Sequence, residues 1–293
     1  ECLNSQDANQ DGLIGVEDLM DLLSHWGDTD LDFDGVYDSV DLCTDEEACN
    51  YYANPTQECL YLDVVGICGG GCPEDADEDG ICDWTCNYGL LYQGYVYPTI
   101  EINGQCWFAE NLQSQHYANG DLIPGDLSNG EWSTTDEGAQ AIYDNELSSL
   151  AEYGRLYNWY AVDDERGLCP TGWHVPTDGE FMTLEMGLGM SEIQTNIIGY
   201  RGTDQGAQMK SSPSDEPSWN GTNTSSFTGL PGGLRATLGY FELAGNYGLW
   251  WSSSLYGSSY AWYRLLDGSS QQVSRNYYYQ GDGFSVRCLK DSE

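Results

Sequence analysis

The chain has 293 residues, of which 48 are acidic and 9 basic, giving a formal net charge of −39 at pH 7. A chain so acidic repels nucleic acid and anionic membrane surfaces, which excludes nucleic acid as a partner. No apolar run is long enough to span a bilayer, so membrane insertion is not expected either.

The 11 cysteines point to an oxidising compartment. The chain does not begin with Met and shows no signal peptide, so it reads as a mature or internal piece of an exported precursor. The expected location is extracellular or the bacterial cell surface. The cysteine count is odd, and Cys2 is the natural unpaired residue, its partner lying upstream.

Residues 1–29 open with a calcium loop of twelve positions. Asp7, Asn9, Asp11 and Asp18 occupy positions 1, 3, 5 and 12. Gly12 takes the sharp turn at position 6, and Leu13 offers its carbonyl. Alternate oxygen-bearing residues in a tight loop aim inward at one hard cation. The loop resembles a dockerin repeat whose second copy is missing. Without metal, the same residues would make an acidic solvated loop. Val16, Leu19, Met20, Leu22, Leu23 and Trp26 continue as an amphipathic helix ending at Gly27.

Residues 30–86 carry two further loops. Asp30, Asp32, Asp34, Asp38 and Asp41, with the Val36 carbonyl, resemble a thrombospondin type 3 repeat. Asp75, Asp77, Asp79 and Asp83, with the Ile81 carbonyl, make a shorter copy with Cys86 at its twelfth position. About three calcium ions are therefore expected in this stalk. Through Cys86 the chain holds 23 Asp and Glu and no Lys or Arg. Between the loops lies a Cys-rich spacer too poor in apolar residues for its own core, so disulfides and calcium must hold it. Zinc on Cys68 and Cys72 is the weaker reading, because no His is near.

Residues 87–293 are rich in Gly, Tyr, Trp and Ser, with short apolar alternations. Residues 113–150 read as a long polar insertion. Thr177 and Glu180 form a capping box, and Phe181, Leu184 and Leu188 follow at helical spacing. Helices are expected near 178–188 and 191–197. In the run 262–267, alternation sends Trp262, Arg264 and Leu266 one way and Tyr263, Leu265 and Asp267 the other. His25, His116 and His174 stand in separate contexts without a nucleophile motif, and His174 reads as a packed or hydrogen-bonded residue. No hydrolase, phosphate-loop or dinucleotide fingerprint is present, and an enzyme is not expected.

Five stretches in order carry a family resemblance: I-N-G-Q-C-W-F-A-E-N-L at 102–112, residues 153–176 including C-P-T-G-W-H-V-P, G-L-P-G-G-L-R at 229–235, W-W-S-S-S at 250–254 and G-F-S-V-R-C at 283–288. Over roughly 87–291 the chain resembles the FISUMP (Fib_succ_major paralogous domain) family, a branch of the C-type-lectin-like fold related to formylglycine-generating enzymes. The resemblance implies an α+β head with its chain ends brought together, two helices, and a small antiparallel sheet carrying loops on one face. Cys169 and Cys288 lie in two of the family's motifs and are paired on that ground. Cys86 and Cys106 are paired to tie the stalk to the head. The related enzymes use a cysteine pair for metal-dependent oxidation, and nothing in these residues shows such a site.

The stretch 250–282 is dominated by Tyr, Ser, Gly, Asn and Trp, the palette of antibody paratopes. Trp250, Trp251 and Trp262 are read as core. Tyr256, Tyr260, Asn276, Tyr277, Tyr278 and Tyr279 are the candidate ligand-binding residues. The functional reading is a secreted or surface-attached adhesion module, whose calcium-rigidified stalk presents this face to a glycan or a protein. The rival reading is a structural subunit of an extracellular fibre, in which the same face docks the neighbouring copy.

Overall fold

The computed structural model describes Cys86 and residues 89–292. The three expected calcium loops lie outside these residues. The chain divides after Trp84 into two units, and the fold is that of the second, Thr85–Glu293. It is mixed, mostly β, with a few short helices.

Two tight hairpins begin it. β1 (Leu90–Tyr92) pairs with β2 (Tyr95–Tyr97), and β3 (Thr99–Ile102) with β4 (Gln105–Phe108). Their turns, Gln93-Gly94 and Asn103-Gly104, hold φ of 50° and 81°, and of 54° and 73°. Positive φ at both central residues matches the twist of the flanking strands. The C-terminal β15 (Leu289–Lys290) then adds to β4, with Leu289 opposite Trp107. β7 (Trp173–His174) pairs with β15 on its other side. The end of the described chain is thus laced to its beginning.

The segment 113–150 is more than a polar insertion. It contains α1 (Asn129–Thr134), β5 (Gln140–Ala141) and the start of α2 (Leu147–Tyr153). Tyr117, Ile123, Trp132, Ala139 and Ala141 from it are buried. Its apolar residues are isolated between polar ones, so no period betrays them, yet each plugs the core. β5 joins a five-stranded sheet of short strands with β6 (Leu156–Asn158), β9 (Leu234–Arg235), β10 (Phe241–Glu242) and β14 (Gly283–Phe284).

The sheet that positions the candidate site has the order β11-β12-β13-β8. β11 (Tyr247–Tyr256), β12 (Tyr260–Asp267) and β13 (Val273–Tyr279) are long, and β8 (Gly199–Arg201) is a three-residue edge. Side chains alternate across a strand. Trp250 accordingly enters one core, with Trp107, Phe181, Leu266 and Val273, and its neighbour Trp251 the other, with Tyr263 and Phe284. Both faces are covered, so these strands lack the simple apolar–polar rhythm of a half-exposed sheet.

One cover is the helix α3 (Asp178–Gly187), with Thr177 and Glu180 forming the expected capping box. The second expected helix, 191–197, is a single turn, α4 (Glu192–Thr195), capped by Ser191. Two disulfides close the described unit, Cys86–Cys106 and Cys169–Cys288.

Candidate functional site

Under α3 lie three arginines and two carboxylates. Arg264 donates to Glu185 at 2.6 Å and to Asp178 at 2.7 Å. Arg275 donates to both oxygens of Asp178, at 2.9 and 2.6 Å, and Arg201 to Glu185 at 2.7 Å. All five residues are buried. Burial alone would raise the Asp178 carboxyl, but hydrogen bonds and charge from Arg275 and Arg264 hold it below its ordinary value. This lattice fixes the spacing of β12 and β13 against the helix.

Beyond the helix the same sheet face continues, and there it carries aromatic rings. Tyr256 lies opposite Tyr260, Tyr260 opposite Tyr279, and Trp262 opposite Tyr277. Tyr256 stacks on Tyr277 with centroids 3.7 Å apart, and Tyr260 lies 4.6 Å from Tyr279. Trp262 meets Tyr256 edge-on at 4.9 Å and Tyr277 at 5.8 Å. The Tyr260 hydroxyl is raised chiefly by its hydrogen bond with Tyr279, and that of Tyr277 by its bond with Tyr256. The rings form two linked pairs in an ordered row.

The row is anchored to the charged lattice. The Arg275 guanidinium lies 3.7 Å above the Trp262 ring, while its other bonds tie it to Asp178 and the Asn196 carbonyl. A cation on a ring face is attractive, more so when shielded from water. Trp262, read from sequence as core, is half-buried and stands inside the row.

The six candidate residues therefore separate. Tyr256, Tyr260, Tyr277 and Tyr279 share one face. Tyr278 points the other way, meeting Tyr263 at 6.2 Å and Phe284 at 6.1 Å, and is 44% exposed. Asn276, opposite the buried Tyr263, lies on that second face, and its Oδ1 accepts from the Tyr277 amide. Tyr256 and Tyr279 are exposed, with Tyr260 and Tyr277 half-buried between them. Sequence reasoning missed the arginine lattice beside the row, for which the alternation through Arg264 was the available signal.

His174 supplies no free base. Its Nδ1 lies 2.5 Å from Asp291 and its Nε2 3.0 Å from Glu180. Among the described residues no group of three or more His, Cys, Asp or Glu side chains is placed to hold a metal ion. No described helix is long and apolar enough to cross a membrane. A groove of about 630 Å³, lined in part by Asp136, Glu137, Tyr160 and Asp163, lies elsewhere in the unit. No curated protein and no solved structure matches the chain. The family model described as Fibrobacter succinogenes major domain (Fib_succ_major) matches residues 100–290.

Proposed function

The chain belongs to the Fib_succ_major family, and on that premise we propose that it is a non-catalytic adhesion module, secreted or held at a bacterial surface. The head is C-type-lectin-like, related in plan to formylglycine-generating enzymes, and it presents the aromatic row to a glycan or a protein. Residues 1–86 are its stalk, stiffened by about three calcium ions in loops of dockerin and thrombospondin type 3 character. The observation that carries this reading is the row itself: four tyrosines and Trp262 on one face, anchored at one end by Arg275, where the sheet outruns its helix. Rigid aromatics offer large contact area with little rotamer entropy to lose, which suits them to binding. The absence of any charge among the five rings favours an uncharged ligand surface.

The test is the double variant Tyr277→Ala with Tyr279→Ala in the full chain. Its binding is measured on a glycan array, on peptide arrays and on immobilised copies of the chain itself. Loss of a central aromatic costs about 2 kcal/mol or more, or roughly 30-fold in affinity. The expected outcome is that loss with cooperative thermal unfolding of the head retained. A variant that binds as the parent does, or whose head unfolds, would show the row to be packing alone.

A further inference from the structure

β13 is paired along only half of its outer side. β8 covers Val273, Ser274 and Arg275, opposite Arg201, Tyr200 and Gly199. Among the described residues no strand pairs with Asn276–Tyr279 on the side away from β12. The result is a notch four residues long, bounded at one end by β8 and at the other by the turn into β14.

An open edge invites another strand, and proteins blunt such edges with charges, prolines or bulges. This one has none of them. Asn276, Tyr277, Tyr278 and Tyr279 are uncharged, as are Gln280 and Gly281 beyond them. The chain that precedes β8 is also apolar and open: Ile197 is 48% exposed and Ile198 49%. The Asn196 carbonyl accepts from Arg275, which places these isoleucines beside the notch. An edge of four uncharged residues, unpaired by any described strand and with its Tyr277 amide held only by the neighbouring Asn276 side chain, is thus set into a protein of net charge −39.

We propose that the occupant of this notch is the same strand of a second copy, paired antiparallel about a two-fold axis normal to the sheet. Charge selects this partner. The four edge residues themselves offer a basic partner no carboxylate, and two like-charged copies approach at lowest cost where the contacting residues carry no charge. The length of the notch matches the strand that would fill it, because each copy's β8 stops where the other's turn begins. A two-fold contact uses the same patch on both sides and closes on itself, so it yields pairs and not a filament. Rotation about that axis keeps both aromatic rows on one side of the joined sheet. The pair therefore presents one doubled row, and a repeating ligand gains the avidity of two linked sites. That last step rests on the binding role given to the row; the pairing does not.

The experiment is sedimentation velocity of the full chain without ligand, with hydrogen exchange at low and high protein concentration. A four-residue ladder is a small contact, so half-association is expected on the order of 100 µM. Raising salt from about 20 to about 150 mM should strengthen it by screening the net repulsion. Exchange at the Tyr277 and Tyr279 amides, which face away from β12, should slow as the dimer fills. Ile198→Glu, which leaves the row and its hydrogen bonds intact, should weaken association at least ~10-fold, and so should Tyr278→Glu, which sets like charges beside the axis on the face away from the row. The proposal fails if the parent stays monomeric to about 1 mM, roughly ten times the expected midpoint. It fails equally if dimers form without protecting these amides, or if both variants dimerise as the parent does. Each result is read without any glycan or peptide, so it stands apart from success or failure on the glycan and peptide arrays.

Discussion

Asp178 shows how little freedom the buried lattice leaves to a single residue. Its two oxygens take the charge-assisted bonds of Arg264 and Arg275, and it sits in the first turn of α3, where the helix dipole favours an anion. Asp178→Asn keeps the shape and removes the charge, leaving two guanidinium groups facing each other with Glu185 alone nearby. Breaking a buried pair from one side costs about 3–5 kcal/mol, because the stranded charge keeps its desolvation penalty. The expected outcome is a loss of that size in urea unfolding followed by tryptophan fluorescence. A loss below about 1 kcal/mol, typical of a solvated pair, would mean that water reaches the lattice. Arg287 makes a related point without any carboxylate in contact. Wholly buried, it donates to Asn111 and to the carbonyls of Phe108, Phe227 and Thr228. Burial brings it down to about 9.

At the scale of elements, His174 on β7 ties the cap of α3 to the residue that follows β15. The bond to Glu180 raises the imidazole above its ordinary 6.5, and Asp291 adds to that. Burial pushes Glu180 up, but hydrogen bonds from His174 and Thr177 outweigh it and hold the carboxyl at about 2. The imidazolium contribution is full below pH 6.5 and is lost as pH rises through the raised value. The Glu180 contribution is present above pH 4.5 and is lost as pH falls through about 2. The melting-temperature advantage of the parent over His174→Gln should therefore peak between those two ordinary values and shrink toward alkaline pH. An advantage as large at about pH 9 would show that charge is not its source. The capping box, the register through Arg264 and the Cys169–Cys288 disulfide were legible because each rests on local spacing or on a family motif, whereas Cys86–Cys106 was paired only to tie the N-terminal segment to the head. The arginine lattice was not, since charged residues belong on surfaces by default and their partners lie far off in sequence. The sidedness of Tyr277, Tyr278 and Tyr279 could be alternated on paper. Which side stayed open depended on where α3 ends above the sheet, which no local pattern records.

For the whole molecule the dominant fact is charge. The 23 carboxylates of residues 1–86 have no basic residue among them, and their D-x-D-x-D-G spacing suits an ion taking about 6–8 oxygens. On the proposed calcium reading, metal affinity there would be folding free energy, and chelation is expected to loosen the stalk and spare the disulfide-closed head. Endoproteinase Glu-C with and without EDTA, mapped by mass spectrometry, should give new cuts clustered between Asp7 and Asp83. Equal protection in both conditions, or a head that opens first, would sink the calcium-stiffened stalk. The choice of protease matters, and the reason returns to the buried arginines. Arg201, Lys210, Arg235, Arg264, Arg275 and Arg287 are buried, Arg155, Arg166 and Lys290 are half-buried, and the first 154 residues contain no Lys or Arg. Enzymes that cut after Lys or Arg need that side chain free to enter a pocket. To such proteases the described unit offers few free side chains, so the architecture that orders the sheet also shields it from cleavage after Lys or Arg.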